Sequence, residues 1–364
     1  MSQDIIIVGG GIIGMLTARE LHDSGMSITL IDKQEPGKEA SWAGGGILSP
    51  LFPWRYLDCI TDLASYSQEH FSKTCRELLE STGIDSQFLK SGMLMVASDE
   101  IEQAKSWAIK HNKNLQIIDS NAFKEIEPLK KDPPQRGLWM PDVAQVRNPE
   151  LAKALFLDLK KRKIKIFTRY PVKKILYNKD ICHGVATKEK NYHAEKVVIC
   201  TGCWSGDLLE HLPYPPKIYP IKGQMLLFKT TPGLIKTICL EDHKYIIPRK
   251  DGYVLFGSTM EDSGFNKDTS KLVFKELHHI AVNQFPILKD FPVVKHWAGL
   301  RPASPAGVPY ISAHPQIMGL YINSGQFRNG VVLSVGSARL IENIILKKVP
   351  EINQSPFDWN APRG

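Results

Sequence analysis

The sequence predicts an α/β protein, α+β overall, in which a dinucleotide-binding domain is interrupted by a second domain on a mainly antiparallel sheet. Three observations carry this reading. A glycine-rich turn joins an apolar strand to a helix at the start of the chain. Two later apolar strands also run into glycines, at Gly202 and Gly325. Segments of antiparallel character fill the intervals. The predicted cofactor domain is therefore discontinuous, at 1–88, 146–218 and 298–364, with the substrate domain at 89–145 and 219–297.

Asp4 to Val8 is a short isoleucine-rich run, the pattern of a buried parallel strand. Gly9-Gly10-Gly11 ends it, helix formers dominate from Ile12 to Ser24, and Gly25 stops them as a C-terminal cap would. Ile28-Thr29-Leu30-Ile31 is a second strand that ends at Asp32, which completes a βαβ unit about 30 residues long. The loop Ser41-Trp42-Ala43-Gly44-Gly45-Gly46 permits close backbone approach to something flat. Ile60 to Leu79 reads as a helix. Strand character returns near Met93 to Ala97, from Val185 to Lys188, from Ile218 to Thr230 and from Tyr245 to Gly257. Lys196 to Cys200 and Leu320 to Asn323 are the strands that run into the later glycines. A long apolar helix is predicted from Val331 to Leu346, with Lys347 and Lys348 complementing its C-terminal dipole.

With 364 residues, 43% of them hydrophobic, the chain can bury more than one core, and 23% charge with abundant Leu, Ile and Val argues against disorder. No apolar run has membrane-spanning length. Met1-Ser2-Gln3-Asp4 has no basic leader region, so no signal peptide is expected. Six scattered cysteines, with CxxC spacing only at Cys200–Cys203, fit reduced cytoplasmic thiols and give no zinc pattern. The net charge is +8, densest at Lys160-Lys161-Arg162-Lys163. That run reads as a solvated helix end, and nucleic acid is not expected as a partner.

Gly9-Gly10-Gly11-Ile12-Ile13-Gly14 matches GxGxxG. The first glycine allows the tight turn, the second lets a pyrophosphate approach the backbone, and the third lets helix and strand pack closely. The helix N-terminus offers free N–H groups to the phosphates. Asp32, 18 residues after Gly14, stands where an acidic residue holds ribose hydroxyls. The extra glycine-ended strands, through Thr201-Gly202 and Gly325, favour FAD over NAD, because an extended flavin dinucleotide needs more than one loop to cover it. Arg301, in Trp297-Ala298-Gly299-Leu300-Arg301-Pro302, is of the residue type that pairs bidentately with a carboxylate. Arg328-Asn329-Gly330 can cap the last helix or underlie a flavin.

These segments together resemble the glycine oxidase branch of the FAD-dependent D-amino-acid oxidase family, the branch linked to thiamine thiazole synthesis. The resemblance covers nearly the whole chain. It rests also on Val146-Arg147-Asn148-Pro149, Gly202-Cys203-Trp204-Ser205, Pro220 to Gln224, Tyr245-Ile246-Ile247-Pro248-Arg249 and Gly257-Ser258-Thr259-Met260. It implies a Rossmann-type FAD-binding domain with an inserted substrate domain. Arg301 and Tyr245 would hold the substrate carboxylate, the backbone carbonyl near Arg328 would accept from the amine, and His243 and Met260 would join them as catalytic residues. FAD contacts are implied at Gly9, Gly11, Ile12, Ile13, Gly14, Asp32 and Lys33. They continue at Ala40, Ser41, Gly45, Gly46 and Ile47, with Val172 toward the adenine, and at Thr201, Gly202 and Trp204. The last set is Gly325, Gln326, Phe327, Arg328, Asn329, Gly330, Val331 and Val332. Ile47 stands where some relatives carry methionine and Gln326 where histidine is frequent. No cysteine follows Arg301 and no histidine lies between His22 and His70, so noncovalent FAD is expected.

The implied reaction is oxidative deamination of glycine, sarcosine or a small D-amino acid, with O2 as acceptor and hydrogen peroxide as product. A quinone-linked D-amino-acid dehydrogenase and a tRNA-modifying carboxymethylaminomethyl-uridine oxidase are the alternatives. No metal is expected, and a homo-oligomer is left open.

Overall fold

The computed structural model describes residues 3–363; Met1 and Ser2, on which the leader expectation rests, lie outside them. Two eight-stranded sheets organise the chain. The first runs in the order Tyr310–Ala313, Leu320–Ser324, Asn191–Ile199, Gln3–Val8, Ile28–Ile31, Lys165–Phe167, with Ile181–Ala186 and Lys174–Asn178 extending it from Asn191–Ile199. Gln3–Val8 lies at its centre, parallel to both neighbours. This position explains the unbroken isoleucine run. Ile5 and Ile7 pack on the helices Ile12–Asp23 and Ser334–Ile345, while Ile6 and Val8 face a second core with Val197, Ile199 and Ile322. A strand covered on both faces has no polar alternation.

The second sheet orders Val293–Ala303, Tyr219–Lys229, Tyr253–Gly257, Lys244–Pro248, Ile238–Glu241, Met93–Met95, Arg136–Met140 and Gln116–Asp119. Every pairing in it is antiparallel except that of Ile238–Glu241 with Met93–Met95. The helix Lys271–Gln284 supplies Leu277 and Ala281 to the core on one face. The other face, with Met225, Tyr245 and Ile247, turns toward the loop at Ile47.

The structure departs from the sequence expectations at several points. Tyr245 to Gly257 is a hairpin, because Gly252, at φ +83, lets the chain reverse within Arg249–Tyr253. The last helix begins at Ser334, since Phe327–Asn329 forms a separate 3₁₀ turn. Val293–Ala303 crosses the boundary drawn at 297, pairing with Tyr219–Lys229 along its whole length. The helix Ile101–Lys110 was not foreseen, and of Asn148–Lys161 only the basic end was. The basic run closes the second of these: Arg162 bonds Asp158 at 2.6 Å and pairs with Asp23, and Lys161 donates to the Ser81 carbonyl at 2.6 Å. Gly25 sits just past the first helix at φ +86, as expected. No helix among the described residues is long and apolar enough to cross a membrane.

Candidate active site

One cavity of about 390 Å³ runs from the first glycine-rich turn to the face of the second sheet. At its first end the turn is built by exclusion. A Cβ on Gly14 would meet the Gly9 carbonyl oxygen at 1.9 Å, and one on Gly9 would meet the Cys200 carbonyl at 2.4 Å. Strand, turn and helix therefore touch through backbone alone. Gly9 donates to Ile31 O at 2.8 Å, Gly10 to Asp32 Oδ2 at 2.5 Å and Ile12 to Ser41 Oγ at 2.9 Å. The N–H groups of Gly11, Ile13 and Gly14 have no acceptor among the described residues. Open donors at a helix N-terminus suit a pyrophosphate.

Asp32 also accepts from Gln34 N at 2.8 Å. Burial raises its carboxyl pKa, against the opposing backbone hydrogen bonds. Lys33 lies over the Trp204 ring at 3.0 Å and within 3.7 Å of Glu39, and burial lowers its pKa. Val172, Thr201 and Gly202 continue the wall, and Ser205 links Thr201 to Ser324 through hydroxyls at 2.9 and 2.8 Å. Cys203 also lines this end; burial pushes its thiol up to about 12.

Ala40, Ser41 and Gly44 to Ile47 form the middle. Arg249, buried, donates to Gly45 O at 2.7 Å and to Gln145 Oε1 and Val146 O at 2.6 and 2.9 Å. Ile47, Ser49 and Leu51 turn the apolar loop after it into a wall of the cavity, not a free surface.

At the far end stands Arg301. Its guanidinium lies across Gly223, where any Cβ would meet Nη2 at 2.2 Å. Nη2 donates to Ser258 Oγ at 2.6 Å and Nη1 to Thr259 O at 3.1 Å. No described carboxylate forms an ion pair with it. Burial lowers its pKa, and the neighbouring Tyr245 opposes that shift. Tyr245, itself buried, reaches Met225 Sδ at 3.6 Å. Behind Arg301, Glu261 takes Gln224 Nε2 at 2.9 Å, Lys222 Nζ at 2.9 Å and the Thr259 hydroxyl. Burial alone would raise Glu261; these hydrogen bonds outweigh it and bring the carboxyl below its usual range. An arginine desolvated without an ion-pair partner among the described residues is a site for an anion from outside the chain.

Gln326, Phe327, Arg328, Gly330 and Val331 close the cavity from the last 3₁₀ turn. Arg328 touches Met260 Sδ at 3.4 Å. Met260 itself is exposed and stands off the lining. Gly14, Gly325, Asn329 and Val332 also stand behind the lining. The structure does not bring His243 to the cavity. It is exposed at φ +64 in the turn before Lys244–Pro248, where the pleat that aims Tyr245 inward has not yet begun. Gly223, Met225, Leu51, Cys203 and Glu39 line the cavity and were missed. Of these only Gly223 carried a signal, a glycine inside a strand pattern.

A cavity that starts at open helix N–H groups and ends at an unpaired arginine is that of a flavin-dinucleotide oxidoreductase. The chain belongs to the FAD dependent oxidoreductase (DAO) family, whose model matches residues 4–344. It is 39% identical to glycine oxidase of Pseudomonas aeruginosa over the whole of both chains. It is 28% identical to the bifunctional protein ThiO/ThiG of Trichormus variabilis, matching 99% of this chain and 55% of that one. The crystal structure of glycine oxidase from Geobacillus kaustophilus superposes with a TM-score of 0.94 at 25% identity, covering 100% of each chain.

Proposed function

We infer that this enzyme oxidises glycine, and with it sarcosine and small D-amino acids, to the imine and then the 2-oxo acid. The observation that carries this reading is Arg301, a half-buried cation with no ion-pair partner among the described residues, set beside Tyr245. Bound noncovalently, FAD supplies the acceptor for the two electrons that leave the amine-bearing carbon.

The chain's own residues do the rest. Arg301 and the Tyr245 hydroxyl take the substrate carboxylate, which fixes the Cα–H bond relative to the rest of the cavity. Positioning of this kind is a large part of a barrier. The backbone carbonyl near Arg328 accepts from the amine. Ile47, Leu51 and Met225 keep the reacting end dry. The substrate loses two hydrogens, O2 takes them up as hydrogen peroxide, and water cleaves the imine to the 2-oxo acid and ammonia, or methylamine where the substrate is sarcosine.

The cofactor and substrate domains of this reading follow the two sheets. Its product feeds thiamine thiazole synthesis, in line with the similarity to a bifunctional ThiO/ThiG protein. The setting is cytoplasmic, in keeping with six free cysteines. Peroxide release in air is measured with glycine, sarcosine, D-alanine and D-proline. Peroxide from glycine or sarcosine is expected. Flavin that bleaches under anaerobic substrate without releasing peroxide in air would replace the oxidase by a dehydrogenase. No bleaching with any of the four would sink the small-amino-acid reading.

A further inference from the structure

We propose that Arg249 is a positioning residue for the flavin: its positive charge, delivered through the Gly45–Gly46 peptide, raises the reduction potential of bound FAD. Arg249 follows the strand Lys244–Pro248 and is 7% exposed. All of its hydrogen bonds go to neutral oxygens, those of Gln145, Val146 and Gly45. No described carboxylate pairs with it. The nearest charges, Arg147 and Asp251, are paired with each other. Burial, with a smaller contribution from Arg147, pulls its pKa down to about 9, which leaves it charged at neutral pH.

A buried and unpaired cation is expensive to keep. A neutral amide could tie the same loop at less cost, so the charge itself calls for a use. The loop supplies one. Gly45 and Gly46 line the cavity, and neither N–H has an acceptor among the described residues. The Gly46 N–H belongs to the same peptide group as the carbonyl that Arg249 grips. A cation on the oxygen polarises that peptide and strengthens its N–H as a donor.

The loop is also held rigidly. Gly46 has φ +77, and a Cβ there would meet Val146 O at 2.1 Å. Behind it the Asn148 amide is fully buried, with neither polar atom partnered. It lies 2.8 Å and 2.6 Å from where Cβ atoms on Gly44 and Gly46 would stand. Open donors, a polarising cation and a fixed backbone converge on the stretch of cavity between the phosphate end and Arg301. A flavin ring held there would gain negative charge on reduction, and charge placed near the ring tunes that equilibrium.

Two variants separate charge from geometry. Arg249→Gln keeps a donor for the Gly45 carbonyl and removes the charge, whereas Arg249→Lys keeps the charge. The FAD-loaded proteins are titrated against a redox dye without substrate. At a fixed solution potential Arg249→Gln should show an about tenfold lower ratio of reduced to oxidised flavin than the wild type, a fall of about 30 mV in the two-electron potential. Arg249→Lys should stay within about threefold on the same scale. Equal potentials in the wild type and Arg249→Gln overturn the proposal. So does an equal fall in both variants, which would mark a purely geometric anchor. Should Arg249→Gln not fold, Arg249→Lys decides: a retained potential supports the charge, and a tenfold loss refutes it. Because no substrate is used, the result is independent of which amine the enzyme oxidises.

Discussion

Arg301 donates to Ser258 Oγ and the Thr259 carbonyl and lies on Gly223, with Tyr245 at its side. Beyond these contacts no described carboxylate pairs with it, so a substrate carboxylate is the group that completes it. Arg301→Ala should cost about 2–5 kcal/mol in kcat/KM for glycine, the usual penalty for truncating one side of a desolvated charge pair. Steady-state peroxide release measures it; near-normal kcat/KM would remove Arg301 from the reaction. Arg301→Lys should recover only part of the loss, since an ammonium lacks the planar fork and would release either Ser258 or Thr259. At this scale the sequence was unevenly informative. Arg301 and Tyr245 were legible only through resemblance, because a lone arginine or strand tyrosine has many uses. His243 shares a motif neighbourhood with Tyr245, yet turn geometry points it to solvent. Arg249 gave no local sign at all: its meaning depends on the loop 204 residues away that it grips.

The first strand, turn and helix form the element on which the cofactor end depends. Gly9 and Gly14 let backbone meet backbone, and three N–H groups are left open as a consequence. In Gly14→Ala the new methyl would press on the Gly9 carbonyl oxygen at 1.9 Å and on Cys200 Cβ at 3.2 Å, so the helix Ile12–Asp23 must move away from the strand. Overpacking of this kind costs about 1–3 kcal/mol. The variant should melt at a lower temperature and purify with little or no bound flavin, as read by thermal denaturation and the absorbance ratio of flavin to protein. A variant with full flavin content and unchanged melting would show that the close approach is not needed. This element was legible from sequence because all of its determinants lie within about 30 residues. The hairpin at Lys244–Gly257 and the helix Asn148–Lys161 were less so. The apolar pattern of Tyr245 to Gly257 runs on across its turn, and the helix is stabilised by burial of Leu151, Leu155 and Leu159 in a shared core.

Across the whole molecule the cavity draws its walls from both sheets. Gly9, Gly11 and Thr201 come from loops of the first, while Tyr245, Met225 and Arg301 come from the second. A ligand bound there ties the two together and stabilises the folded state by mass action, about 2.7 kcal/mol at a hundredfold excess over Kd. Flavin-stripped protein should therefore melt below the loaded form, and its melting temperature should climb with the logarithm of added FAD. A melting temperature indifferent to FAD would place the binding energy elsewhere. By itself the sequence determined a dinucleotide-type cofactor site, the first βαβ unit and the interrupted order of the two sheets. These follow from glycine spacing and hydrophobic period, both of which are local. Only the tertiary structure decided that Arg301 has no ion-pair partner among the described residues, that Gly223 lies against it and Met225 against Tyr245, that His243 stays outside the cavity, and that Arg249 stands behind the Gly45 loop. Each of those facts is a distance between segments far apart in the chain, and such distances are set by packing.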